Sequence, residues 1–341
     1  MKKPTMIAIS SGIAATIILG LWFAQTQSIT TPNQTSDQNQ SIVEQIEVTQ
    51  KVKIIASFYP LYEFARNVGG EKADVSSLIP IGIEPHDWDP SSGDILKLKG
   101  SDIFIYNGAG FEPFVEQLID SGEYGGVVFV ESAKGIDLIK PEHDDEEVHD
   151  ETEEEHNDEE GHEHDFEYDP HVWLDPILVK HQVTMIKNAM IQTDPQNAQY
   201  YEINANAYNE ELDGLDSKIR KELSNCQQDT FVPFHNAFSY FANRYGLKVF
   251  PLSGIAPESE ATAAELKKVV DFVKEHQINV IFSEELVDPR LAQVLADEAG
   301  AQVMIFSPLE GLTKEDLATG KTYISKMEEN LENLKVALEC Q

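Results

Sequence analysis

The most constraining feature of the chain is an alternation of short apolar strands and helices that occurs twice. In the first half, β-branched and aromatic runs predict strands at 52–58, 74–79, 102–106 and 127–130. In the second half, similar runs predict strands at 230–233, 249–252, 279–282 and 302–306. Helical periodicity fills most of the intervals between them. Strands and helices that alternate at this spacing are typical of βαβ units, so we expect a parallel sheet in each half.

A long helical stretch separates the two halves. Helical periodicity begins at Pro176, and Asp194-Pro195 opens a second helix that continues to about Leu223. This second helix has roughly 28 residues, which corresponds to a length of about 40 Å. The sequence therefore predicts an α/β protein with two similar halves joined by a long helix. Ligands of such sheets bind at the carboxyl ends of the strands, so the cleft between the halves is the expected site.

The first 24 residues have the pattern of a targeting segment. Lys2 and Lys3 precede an apolar run from Met6 to Ala24, which is about long enough to cross a bilayer. No Cys follows the run, which excludes a lipoprotein anchor, and the bulky residues before Ala24 make a poor cleavage site. A cleaved signal peptide and an uncleaved anchor both stay open, and either one places the folded part outside the cytoplasm. Residues 25–50 are expected to form a flexible polar tether.

The charge of the chain excludes one class of partner. Lys and Arg number 25 against 60 Asp and Glu, which gives a net charge of −35. A nucleic acid is excluded as a partner because phosphate binding needs clustered cations, whereas cationic partners such as metal ions are favoured. Residues 141–169 hold 17 acidic side chains and no Lys or Arg, and removing those 17 charges from −35 leaves −18 for the rest of the chain.

Three histidines stand at junctions between a strand and a helix, where functional groups gather. His86 and His235 each follow a predicted strand, and His171 lies in an Asp-Pro-His-Val-Trp-Leu-Asp-Pro run. Imidazoles in such positions suit zinc, which favours nitrogen ligands and four-fold coordination. These histidines are 85 and 64 residues apart, so their spacing alone does not distinguish a metal site from three unrelated loop residues. His181 and His276 fall among polar helical residues, and we expect both to be solvated.

The two cysteines, Cys226 and Cys340, indicate a disulfide, because cysteine pairs in exported chains are usually oxidised. This bond would tie the end of the last predicted helix to the start of the second half. Two unpaired thiols are the alternative. Neither cysteine has a Cys or His at metal-ligand spacing, which argues against a zinc–thiolate site.

Several segments resemble the metal-binding substrate-binding proteins of ABC transporters, the zinc and manganese uptake family of the ZnuA and TroA type. The matching segments are Phe58-Tyr59-Pro60, Glu84-Pro85-His86, Asn107-Gly108-Ala109-Gly110-Phe111-Glu112, the run from Asp169 to Pro176, His235-Asn236-Ala237-Phe238 and Tyr245-Gly246-Leu247. The run from Asp169 to Pro176 is the most specific of them. The similarity extends from about Lys51 to the C-terminus.

The resemblance implies two Rossmann-like lobes joined by one long rigid helix, with a metal ion in the cleft between them. It implies that His86 and His171 of the first lobe and His235 of the second hold the ion. It also implies delivery of the ion to a membrane permease, and we expect the protein to be a monomer. The predicted boundaries are 1–24 for the targeting segment, 25–50 for the tether, 51–195 for the first lobe, 196–224 for the linking helix and 225–341 for the second lobe.

The residue at position 235 informs the choice of metal. Manganese-type relatives resemble this chain but have a Glu where His235 stands and an Asp as a fourth ligand. A histidine favours zinc, because manganese prefers oxygen donors, and manganese or iron is the alternative. The segment that would supply the Asp contains Ser307 instead. Water, Glu84, Glu284 and Glu310 are the candidates for the fourth ligand, and Glu284 is better suited to a hydrogen bond with a ligand.

The acidic segment 141–167 resembles a charged, His-rich loop of zinc-type relatives. Its histidines are His143, His149, His156, His162 and His164. Their irregular spacing encodes no fixed site, and such dense charge cannot fold alone. Two roles stay open for this loop. It collects or senses zinc, or it is a solvating loop that only raises the local cation concentration.

Three classes of function follow from these features. The first is an extracytoplasmic high-affinity zinc receptor for an ABC uptake permease, which is not an enzyme. The second is a hydrolytic zinc enzyme with three histidines, an open position and Glu284 as base. The absence of a nucleophile motif and a cleft that buries the ion argue against an enzyme. The third is a surface adhesin on the same fold, which no sequence feature demands.

Overall fold

The N-terminal half is built on a four-stranded parallel sheet. Its strands are β1 (Val52–Ala56), β2 (Ala73–Ser77), β3 (Ile103–Tyr106) and β4 (Val128–Glu131). They lie in the order β2-β1-β3-β4, with Ile54 of β1 paired to Val75 on one side and to Ile103 on the other. The helices between them are α1 (Tyr59–Gly69), α2 (Ser92–Leu98) and α3 (Phe114–Asp120). The predicted βαβ alternation is confirmed.

The computed structural model describes residues 50–141, 166–257 and 262–341. These residues belong to one unit that extends from Thr49 to Gln341. The predicted targeting segment, nearly all of the tether and most of the acidic loop, with its five histidines, lie outside the described residues. Among the helices that are described, none is long and apolar enough to span a membrane.

Two helices follow the first sheet and lead into the second half. They are α4 (Pro176–Thr193) and α5 (Ala198–Glu222). The sequence predicts one continuous helix from Asp194, but a short 3-10 turn at Pro195–Asn197 precedes α5. The 25 residues of α5 correspond to a length of about 37 Å. This helix packs against α1 and α4, and it also contacts the last helix of the chain, so it touches both halves.

The C-terminal half repeats the arrangement of the first, but two of its strands have only two residues each. Its strands are β5 (Thr230–Phe231), β6 (Lys248–Val249), β7 (Val280–Ser283) and β8 (Gln302–Ile305). The parallel pairs β5-β6 and β7-β8 are joined where the Phe282 N–H donates to the Val232 carbonyl at 2.8 Å. The helices of this half are α6 (Ser239–Tyr245), α7 (Ala263–Glu275), α8 (Arg290–Ala299), α9 (Lys314–Thr319) and α10 (Tyr323–Ala337).

One apolar core passes through both halves. It includes Phe64 of the first half, Trp173 in the connection, and Phe231 and Phe306 of the second half, all of them buried. Packed interiors of this kind resist separation, because each displaced side chain loses its van der Waals contacts. The halves are therefore held together by packed side chains as well as by α5.

The predicted disulfide is present in the structure. Cys226, which follows α5, is bonded to Cys340, which follows α10. Backbone hydrogen bonds from Gln227 and Gln228 to the Leu338 carbonyl flank it, at 3.0 and 3.1 Å. The bond therefore closes the C-terminal half at the amino end of β5.

Candidate metal centre

Four side chains from distant parts of the chain converge at the carboxyl ends of the strands. They are His86, His171, His235 and Glu310, and each offers one ligand atom within 4.8 Å of the others. The turn after β2 carries His86, the segment after β5 carries His235, and the segment after β8 carries Glu310. His171 lies just before α4. Carboxyl ends of parallel strands meet at one edge of a sheet, which explains why the topology gathers these residues.

The distances within this cluster fit a tetrahedral metal ion. Glu310 Oε1 lies 3.3 Å from His86 Nε2, 3.2 Å from His171 Nε2 and 3.4 Å from His235 Nε2. The two Nε2 atoms of His171 and His235 are 3.2 Å apart. Zinc–nitrogen bonds of 2.0–2.1 Å give a tetrahedron whose edges are roughly 3.3 Å. Four of the six distances between donor atoms therefore match the edges of a tetrahedral zinc site.

Two of the histidines each have a carboxylate beside the Nδ1 atom of the ring. Asp169 Oδ1 lies 2.8 Å from His171 Nδ1, and Glu284 Oε1 lies 2.7 Å from His235 Nδ1. Such a partner places the ring proton on Nδ1 and leaves Nε2 free as a ligand. Glu284 is therefore a hydrogen-bond partner of the His235 ring and not one of the four clustered side chains. Sequence analysis gave Asp169 no role, although a carboxylate two residues before a candidate ligand is a usable indication.

Aromatic rings pack against two of the histidines of the cluster. The ring of Phe111 lies 5.0 Å from that of His86, and the ring of Trp173 lies 5.0 Å from that of His171. The His86 side chain is 3% exposed, and those of His171 and His235 are fully buried. The rings of Phe111 and Trp173 exclude water on their side of the cluster, which strengthens electrostatic attraction between a cation and its ligands.

The position of Glu310 depends on contacts that are distant in sequence. The Asn330 side chain of α10 accepts a hydrogen bond from the Ser307 N–H and donates to the Ser307 carbonyl, at 2.8 and 2.7 Å. The Trp173 indole donates to the Pro308 carbonyl at 2.8 Å. Leu309, with φ of 56°, turns the chain through the left-handed region directly before Glu310. These contacts hold the turn that presents the carboxylate.

The charges of the site are strongly coupled. Burial opposes ionisation of Glu310, but His86, His235 and His171 outweigh it and hold the pKa of this carboxyl well below its usual range. Burial likewise opposes protonation of His235, but Glu284 and Glu310 hold its pKa well above the usual value. Without a metal ion, the site therefore holds an ionised Glu310 beside the His235 imidazole, whose proton a metal ion has to displace.

Glu84 has a different environment from Glu310. Its Oε1 accepts a hydrogen bond from the His86 N–H at 3.3 Å, and it is not one of the four clustered side chains. Burial, with the nearby Glu310 carboxylate, raises the pKa of Glu84 to about 10. At neutral pH this side chain is a neutral acid in the metal-free protein.

The two histidines that were expected to be solvated differ. His276 is exposed, with its ring 4.2 Å from that of Phe272. His181 is half-buried, and its Nε2 lies 2.8 Å from the Lys134 carbonyl oxygen, so for this residue the expectation of a solvated surface position was too simple. Neither residue belongs to the cluster.

Comparison with known proteins agrees with this geometry. Residues 54–337 match the model of the family described as ZnuA, zinc-uptake complex component A, periplasmic. The high-affinity zinc uptake system protein ZnuA of Bacillus subtilis is 40% identical over 84% of this chain and 88% of its own length. Other curated relatives are longer, and the chain spans 55% of the length of two of them.

Solved structures show the same fold. The Zn(II)-bound ZnuA-like domain of Streptococcus pneumoniae AdcA has a TM-score of 0.71 and 34% identity over 85% of this chain and all of that domain. The laminin binding protein Lmb of Streptococcus agalactiae, described as bifunctional with adhesin and metal transporting activity, has a TM-score of 0.73. It is 30% identical over 85% of this chain and all of its own. The chain therefore belongs to the ZnuA family of periplasmic components of zinc-uptake complexes.

Proposed function

We propose that this protein is an extracytoplasmic receptor that binds one zinc ion tightly and delivers it to an ABC-type uptake permease. In this proposal the ion is held by His86, His171, His235 and Glu310. The observation that carries it is the set of four buried donor atoms spaced at 3.2–3.4 Å along four edges. Membership of a zinc-uptake family supports the same conclusion.

The donor set favours zinc over manganese. Three imidazole nitrogens and one carboxylate oxygen suit a tetrahedral ion of borderline softness, whereas manganese prefers six oxygen-rich ligands. The four side chains are at most 3% exposed, so a bound ion is shielded from bulk water and has little room for the six ligands of manganese. Zinc is thus the proposed cargo, ahead of manganese or iron.

A receptor also fits the site better than an enzyme. Catalytic zinc sites keep one position open for water or substrate. Here Glu310 supplies a fourth donor, and Glu284 is hydrogen-bonded to His235 Nδ1, where it orients a ligand rather than serving as a base. The family is one of solute-binding components of uptake systems.

The proposal keeps the predicted organisation of the chain. Residues 51–195 and 225–341 form the two lobes, and residues 196–224 form the linking helix between them. The ligands then come from both lobes, since His86 and His171 precede the linking helix and His235 and Glu310 follow it. We further propose that the receptor is a monomer and that residues 1–24 export it or anchor it beside its permease.

A second function has one observation in its favour. The similar Lmb protein is described as having both adhesin and metal transporting activity. We propose adhesion only as an additional role on the same fold, because the buried metal centre has no part in contacts with a surface partner. Binding of the zinc-loaded chain to immobilised laminin, absent with an unrelated acidic protein, tests this role.

Glu310 is expected to contribute directly to zinc affinity. Glu310→Gln keeps the shape of the side chain and removes the charge, so the zinc affinity falls by about 10- to 100-fold. Glu84→Gln is the matched control, because Gln resembles the neutral acid that Glu84 forms at neutral pH. Competition with a chromophoric chelator measures both affinities. An equal loss in the two variants would contradict the assignment of Glu310 as the fourth ligand.

Zinc binding is expected to release protons at pH 7. The pKa of His235 is held well above its usual value in the metal-free protein, so its proton must leave when Nε2 binds the ion. The apparent affinity therefore rises with pH by about tenfold per unit for each proton released, until the pH exceeds that pKa. Calorimetry in two buffers of different ionisation enthalpy counts the protons. A heat that does not depend on the buffer would contradict the prediction.

A further inference from the structure

A small acidic cavity lies directly beside Glu310. Its volume is about 10 Å³, which is enough for a single water molecule. Its lining includes Glu84, Glu284, Glu285, Glu310, Ser307 and Leu286. Four of the eight lining residues are glutamates, and Glu84 among them keeps its proton at neutral pH in the metal-free protein. The cavity therefore suits a cation or a water molecule bound to one.

Two of the carboxylates have an oxygen without a hydrogen-bond partner. Glu284 and Glu310 are 3% and 2% exposed, and the Oε2 atom of each has no partner among the described residues. Their other oxygens contact the histidines of the metal centre. A buried carboxylate oxygen is costly unless a donor or cation satisfies it. Both side chains line the cavity, which is therefore the place where a donor or a cation can satisfy these oxygens.

Glu285 lies at the boundary between this cavity and a larger groove. It lines the small cavity and also a groove of about 430 Å³ whose other acidic residues include Glu315, Asp316 and Glu329. Its side chain is 16% exposed, and its Oε1 accepts a hydrogen bond from Lys326 Nζ at 2.6 Å. Lys326 also lies near Asp316 and Glu329, and Lys321 pairs with Glu329, so the four carboxylates of the groove outnumber its two lysines. Glu285 thus stands between the acidic groove and the metal centre.

We propose that the cavity is the passage by which zinc enters and leaves the metal centre, with Glu285 as its outer carboxylate. This inference rests on the proposed zinc receptor function and names residues for its kinetics. A channel lined with negative charge attracts a dication and compensates for the water that it loses on entry. Glu285 contacts the ion in transit and not when it is bound. It therefore lowers the barrier equally in both directions and leaves the affinity unchanged.

Stopped-flow kinetics on the full chain test the passage. Association is followed with free zinc, and dissociation is followed by transfer of zinc to a chromophoric chelator in excess. Glu285→Gln is expected to lower both rate constants by about threefold or more, with no change in the equilibrium affinity. Glu329→Gln is the matched control, because it also removes a carboxylate near Lys326 and lines the groove, but it does not line the cavity. Its rate constants are expected to match those of the wild type.

Leu286→Ala tests the same passage sterically. This half-buried side chain lines the cavity. Its truncation to Ala widens the cavity, so the rate constants of zinc association and dissociation are both expected to rise. Unchanged rates in Glu285→Gln, or equal slowing in Glu329→Gln, would overturn the passage. A lower zinc affinity of Glu285→Gln that comes from faster dissociation alone would also overturn the passage, because Glu285 would then contact the bound ion. A wild-type chain without a tight zinc site would instead overturn the proposed function.

Discussion

His235→Ala is expected to lower the zinc affinity by about 100- to 1000-fold. Four ligands together bind zinc with about 10–16 kcal/mol, and this variant removes one of the four. His235 is the histidine that the C-terminal half contributes to the metal centre. Its loss also leaves Glu284 without its partner on the imidazole, which is bonded at 2.7 Å. Chelator competition on the purified full chain measures the change.

His276→Ala is the control for this variant. It removes an exposed histidine of the same half that lies outside the cluster, so the affinity is expected to stay at the wild-type value. Denaturant unfolding of each metal-free variant shows that the loss of affinity does not come from loss of the fold. Wild-type affinity in a folded His235→Ala protein would place the metal site elsewhere.

Loss of the disulfide is expected to lower the free energy of unfolding by about 4–5 kcal/mol. Cys226 and Cys340 are 114 residues apart, and closing so long a loop removes much of the conformational entropy of the unfolded chain. The double variant Cys226→Ser, Cys340→Ser and the chemically reduced wild type are expected to show similar losses in denaturant titrations.

The zinc affinity of the double serine variant is the internal control. The disulfide lies at the amino end of β5, whereas the metal centre lies at the carboxyl ends of the strands, so the affinity is expected to remain unchanged at 25 °C. A loss of stability below about 1 kcal/mol would contradict the loop-closure argument.

Local patterns were sufficient to predict most of the fold. The β-branched run that begins at Val52 depends on neighbours in the sequence, and it forms β1, which ends at Ala56, two residues earlier than expected. The short helix α9 was missed, because only six residues carry its pattern. The order of the strands was also beyond the sequence, since it depends on pairing between residues far apart in the chain, such as Ile54 and Ile103.

The candidate site was predicted in part. The three histidines stand in recognisable segments, so their residue types and positions could be identified. The sequence could not show that Glu310 is a better candidate for the fourth metal ligand than Glu84. The difference depends on Asn330 and Trp173, which lie far away in the sequence and hold the turn before Glu310. The resemblance to a family was needed to connect histidines that are 85 and 64 residues apart.

The most direct test of the account is a metal competition on the metal-free full chain, with zinc against manganese. The donor set predicts one tight site of 1:1 stoichiometry that prefers zinc by at least about 100-fold, and His235→Ala weakens this site by about 100- to 1000-fold. A preference for manganese would contradict the assignment of three imidazoles and one carboxylate. Absence of a tight site for either ion would contradict the receptor function itself.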